Sequence, residues 1–163
     1  MTRHQTTLTE LARLGFAELS SAAAMLTEAA EHLDVEPLLP MFASSANPDQ
    51  ALRLLVDLLR QSPSTVRKLV GISGAAHRLV RVLGASSGLG EFFQRHPEEL
   101  AALHRETKAP LTVDQYRADL LAVSASKLGN VDDANADDAA WNAVRVRYRR
   151  HLVGLTSFDL EQQ

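Results

Sequence analysis

Apolar side chains recur along this chain at spacings of three and four, in short runs separated by cap and turn residues. No stretch shows the strict alternation that marks a strand. Thr7-Leu-Thr-Glu10 fits a capping box, in which the threonine hydroxyl accepts from a first-turn amide while the glutamate reaches back. Gly15 can close that first short helix in a left-handed conformation. Leu19, Ala22, Ala23, Leu26, Ala30 and Leu33 then form one stripe, and a short helix is expected from Pro37 to Ser44. Asn47-Pro48-Asp49-Gln50 joins an N-cap, a proline at the first helical position and a glutamine three residues on. It precedes an apolar face of Leu52, Leu55, Val56 and Leu59.

Ser62-Pro63 repeats the cap-then-proline pattern. Ser73 is expected to cap a helix from Gly74 to Leu83, with Gly84 ending it, and Ser86 or Ser87 starts the next. His96-Pro97-Glu98-Glu99 opens another, its carboxylates at the positive end of the dipole. Thr112-Val-Asp-Gln115 is a further capping box, leading into Tyr116, Leu120, Leu121 and Val123. The acidic stretch 129–138 reads as a loop. A last long helix follows from about Asp137 to Thr156, with the stripe Trp141, Val144, Tyr148, Leu152 and Leu155.

The pattern predicts an all-α fold: a compact array of about eight or nine short helices with a longer C-terminal helix, held by packing because short helices are marginal alone. Length points the same way, to one helical domain over residues 1–163. Composition agrees, since aromatics are only 5% while Leu and Ala, which lose little on entering a helix, recur throughout. The formal charge of -3 gives no global field toward nucleic acid or an anionic membrane. Zero cysteines exclude disulfides and thiolate metal sites, and suit a reducing cytoplasm. The N-terminus leads into no apolar stretch of signal-peptide type, and no segment approaches the roughly 20 apolar residues of a membrane span.

Candidate chemistry is thin. Gly84-Ala-Ser-Ser-Gly88-Leu-Gly90 has the glycines of a phosphate loop, but no preceding strand and no following Lys-Ser or Lys-Thr pair. A closely packed helical corner is the better reading. None of the histidines (4, 32, 77, 96, 104, 151) stands at the i, i+4 spacing that places two imidazoles on one helix face. Asp132, Asp133, Asp137 and Asp138 lack the alternation, the mid-loop glycine and the terminal glutamate of a calcium loop. Arg145, Arg147, Arg149, Arg150 and His151 form the densest basic cluster. It could neutralise phosphates, although Tyr148 alone interleaves an aromatic ring, and arginines also suit the later turns of a helix.

Two segments carry a family likeness. Leu83-Gly-Ala-Ser86, Leu89-Gly90 and Arg95-His96-Pro97 form the first, and the arginine helix from Arg145 to Asp159-Leu160 the second. The Asn47-Pro-Asp-Gln-Ala-Leu helix start stands upstream in the matching order. Together they resemble the start of the glutamine synthetase adenylyltransferases, over residues 15 to 160. The chain departs from the family's late basic residues at Gly154 and Phe158. It also lacks the Gly-Gly loop and the Ser-Asp-x-Asp motif with which those enzymes do their chemistry. The resemblance therefore implies a piece of a larger nucleotidyltransferase, lying ahead of its first catalytic domain and holding no catalytic, cofactor-binding or metal-binding residue itself.

ATP and magnesium are implied for the parent enzyme. So are a catalytic nucleotidyltransferase domain in the same polypeptide, glutamine synthetase and a PII-type signal protein as partners. Trp141, Arg145, Tyr148, Arg149 and Arg150 are the candidate interdomain contacts. The competing expectation is a free-standing helical adaptor, or a nucleic-acid binder, working through the basic C-terminal helix.

Overall fold

The computed structural model describes residues 7–104, 107, 109–127 and 136–162. His4 and the acidic positions 129–135, with Asp132 and Asp133, lie outside them. Among the described residues the fold is all-α, with nine α-helices, two 3-10 segments and no strand. The helices are α1 (Leu8–Arg13), α2 (Leu19–Ala29), α3 (Leu39–Ala43), α4 (Pro48–Gln61), α5 (Pro63–Val70), α6 (Ala75–Ala85), α7 (Ser87–Arg95), α8 (Val113–Lys127) and α9 (Ala136–Glu161). A 3-10 turn, Glu36–Leu38, runs into α3, and a longer one, Pro97–Leu103, follows α7. No helix among the described residues is long and apolar enough to cross a membrane. By internal packing the chain divides into two compact units, Met1–Glu106 and Thr107–Gln163.

The first unit is built around α4. Ala51, Leu52, Leu54, Leu55, Val56, Leu58 and Leu59 are all buried, so only a narrow strip containing Arg53, Asp57 and Arg60 meets solvent. Helices α2, α5, α6 and α7 pack on it, and Phe16 and Phe42 stack with ring centroids 5.6 Å apart. On the solvent strip, Arg60 reaches across to Glu28 of α2 with two parallel hydrogen bonds, at 2.6 and 2.8 Å. Hydrogen bonding by Arg60 holds the Glu28 carboxyl below its ordinary 4.5.

Local cap signals are realised where the partners are near in sequence. Thr7 and Glu10 complete both halves of their capping box, and Thr112 and Gln115 do likewise for α8. Asn47 accepts from the Gln50 amide, and Ser86 accepts from the Leu89 amide at the start of α7. Other signals turn out differently. Ser73 does not cap α6; Gly74 is its N-cap, with φ at 74°. Gly84 does not end α6, which continues to Ala85. The last helix, expected from about Asp137, begins at Ala136, with Asp137 and Asp138 in its first turn.

Two polar residues of α4 are used at long range. Asp49 accepts from the backbone amides of Ala17 and Glu18, at 2.8 and 3.1 Å, and so ties the segment leading into α2 to the start of α4. The Gln50 side chain does not fold back on its own N-cap. Its amide donates instead to the Leu83 and Gly84 carbonyls, tying the start of α4 to the end of α6.

Candidate interdomain surface

The glycine-rich corner is a packing device. A Cβ on Gly84 would lie 2.8 Å from the Ser45 Cβ and 3.2 Å from the Asn47 carbonyl oxygen; one on Gly90 would lie 2.6 Å from a Leu54 methyl. These two glycines let α6 and α7 approach the α3–α4 corner and α4 more closely than any side chain allows. Gly88, by contrast, faces open space apart from the Ser86 hydroxyl at 3.9 Å. The first family-like segment thus encodes helix crossings and a serine cap.

Elsewhere in the first unit, Ser44 Oγ lies 3.3 Å from His77 Nε2, a nucleophile beside a base. Its proton is directed at the Met41 carbonyl, however, so this serine closes α3. Among the described residues no group of His, Asp or Glu is assembled to hold a metal ion.

In the second unit α8 packs along α9. Asp119 of α8 accepts from His151 Nε2 at 2.7 Å and lies 3.6 Å from Arg147 Nε, both on α9. The Tyr116 ring meets the His151 ring edge-on, with centroids 4.9 Å apart, and the Tyr116 hydroxyl accepts from the Leu111 amide. This cluster leaves no local pattern in the sequence, because Asp119 and His151 are 32 residues apart. The available signal is that Tyr116 and Asp119 are one turn apart, as are Arg147 and His151, so each pair shares a helix face.

The predicted α9 stripe is only partly covered. Trp141 is 62% exposed and Tyr148 53%, Val144, Leu152 and Leu155 are half-buried, and Ala140, Val153 and Ser157 are buried. Trp141, Arg145, Tyr148 and Arg149 fall at offsets of zero, four, seven and eight, so they share one exposed face. Arg150 is also exposed but projects from the opposite side, nine residues or two and a half turns from Trp141. Arg147 turns toward Asp119. The basic cluster is therefore divided around the helix, and what α9 presents is an aromatic face edged by two arginines.

Across almost its whole length the chain has relatives that carry one name. It is 50% identical over 165 residues to the bifunctional glutamine synthetase adenylyltransferase/adenylyl-removing enzyme of Leifsonia xyli subsp. xyli, a match covering 99% of the chain. The chain is homologous to one segment of these enzymes. The Cutibacterium acnes enzyme of the same name is 32% identical over 98% of the chain, and that of Bifidobacterium longum subsp. infantis 31% over 93%. The chain spans only 16% of the length of the Leifsonia adenylyltransferase and 17% and 15% of the other two. No family model matches the chain, and no solved structure matches it. What this segment offers, residue by residue, is close helix packing in one unit and an exposed aromatic–arginine face in the other.

Proposed function

We propose that this chain is the noncatalytic helical forepart of a bifunctional glutamine synthetase adenylyltransferase and adenylyl-removing enzyme, a cytoplasmic regulator of nitrogen assimilation. In this reading it lies ahead of the first nucleotidyltransferase domain and supports that domain by docking. The carrying observation is the match over 99% of the chain to relatives of which it makes up 16%. The enzyme moves AMP to and from glutamine synthetase under the influence of a PII-type signal protein. Its catalytic domains bind the ATP and magnesium.

The outer face of α9, with Trp141, Arg145, Tyr148 and Arg149, is the docking face for the rest of the polypeptide. Exposed aromatics beside arginines are the residue types that dominate protein interfaces. Arg150, on the other side of the helix, is outside it.

The test is catalytic silence in a folded protein. Incubated with adenylylated glutamine synthetase, magnesium and phosphate, the isolated chain is expected to release no ADP while its circular dichroism remains helical. Robust ADP release would overturn the reading. A gel shift at low salt that fades as salt rises would favour nucleic acid as the partner of the arginines instead.

A further inference from the structure

Apolar pattern alone favours a different packing of α9 from the one observed. Trp141, Val144, Tyr148, Leu152 and Leu155 form its apolar stripe, yet Trp141 and Tyr148 stand in solvent. Leu121 of α8 is exposed as well. Between the helices lie Asp119, Arg147 and His151, with small Ala140 buried on the same side of α9. Turning α9 by one residue, about 100°, would bring the exposed Trp141 and Tyr148 rings toward α8 and out of water. Something must oppose that turn.

We infer that the Asp119–His151 hydrogen bond, backed by Arg147 and Tyr116, pins α9 in its observed rotation and so keeps the Trp141–Tyr148 face outward. The contact is short, at 2.7 Å, and only 16% of the His151 side chain is exposed. Arg147 lies on the same carboxylate oxygen, and Tyr116, its hydroxyl held by the Leu111 amide, walls the imidazole edge-on. A one-residue turn would carry both donors off Asp119 at once. It would leave a partly desolvated carboxylate facing apolar side chains, an arrangement that costs more than a lost hydrogen bond. A single polar position that selects one helix packing among several is an established use of such groups. Keeping the face outward matters for docking only under the function proposed above; the pin itself stands on the geometry of α8 and α9.

Trp141 is the chain's single tryptophan, so its fluorescence reports the rotation directly. In the wild-type chain the indole is expected to emit as a solvated group and to be readily quenched by acrylamide. Asp119→Leu is expected to lower the quenching constant by about twofold and shift emission to the blue, as for an indole moved into the interior, with helicity retained. The exchange variant Asp119→His with His151→Asp restores the contact with its ends reversed, and is expected to return quenching to the wild-type value. Unchanged quenching in a helical Asp119→Leu chain would overturn the pin. Should Asp119→Leu lose its helicity, the exchange variant decides: recovery of helicity and quenching together supports the pin, and failure to recover overturns it. A result against the pin leaves the ADP-release experiment unaffected, and ADP release by the chain would leave the pin untouched.

Discussion

Replacing Arg78 with alanine lowers the stability of the first unit by about 3 kcal/mol, the loss expected when carbonyls in a poorly hydrated site are stripped of a charged donor. Arg78 projects from α6 and is only 8% exposed. Its Nε donates to the Leu103 carbonyl at 2.9 Å and its Nη2 to the His104 carbonyl at 3.2 Å. One planar guanidinium thus closes the end of the 3-10 segment Pro97–Leu103, where backbone carbonyls lack helical partners. The approach to α6 is shaped for it: a Cβ on Gly74 would lie 2.8 Å from Arg78 Nη1. Alanine removes both donors and opens a cavity. Lysine, with one ammonium and no fork, should recover only part of the loss. Urea titration followed by circular dichroism reads the difference. An alanine variant within about 0.5 kcal/mol of wild type, the range of ordinary surface substitutions, would contradict this role.

Gly84→Leu is expected to cost about as much, some 3 kcal/mol, at the upper end of what overpacking a filled site does. The new Cβ meets the Ser45 side chain and the Asn47 backbone oxygen, and Asn47 is the N-cap of α4, so the obstacle cannot swing aside as a side-chain tip can. Pushing α6 away also strains the hydrogen bonds from Gln50 to the Leu83 and Gly84 carbonyls. Gly84→Ala meets the same atoms but gains about 1 kcal/mol of helix propensity, so its net effect is smaller. Gly88→Ala is the control, since a Cβ there meets only the Ser86 hydroxyl at 3.9 Å. It should be neutral or stabilising by up to about 1 kcal/mol. Equal midpoints in urea for Gly84→Leu and Gly88→Ala would refute the packing account of this segment.

These two sites also mark where the sequence is readable and where it is not. Caps whose partners lie three residues apart, such as Thr7 with Glu10, Thr112 with Gln115, and Asn47 with the Gln50 amide, are visible because donor and acceptor share one local pattern. The helical class follows from them and from the apolar spacing. Asp49 holding the segment before α2 and Gln50 holding the end of α6 leave no local trace; each residue looks like part of its own helix start. Gly84 sends an ambiguous signal, since glycine marks both a helix end and a close helix crossing, and here it is the crossing. Ser73-Gly74 is misread for a similar reason: the serine resembles a cap, but the glycine beside it makes room for Arg78.

The candidate site is legible in part. Spacing along α9 places Trp141, Arg145, Tyr148 and Arg149 on one side of the helix and Arg150 on the other. What periodicity cannot reveal is which way that face points. With apolar residues on several sides of both α8 and α9, as Leu121 and Trp141 illustrate, the pattern alone does not give the observed rotation. A contact between residues 119 and 151 then becomes decisive, and no local pattern announces it.

Segment replacement in an intact relative tests the central claim most directly. The matched segment of the Leifsonia xyli enzyme, to which this chain is 50% identical, is deleted in one version and replaced by this chain in another. Removal and addition of AMP on glutamine synthetase are then assayed for both. The account predicts that deletion impairs the enzyme and that this chain restores it. A replaced enzyme that is folded but as impaired as the deletion, or a deletion that keeps full activity, would contradict it.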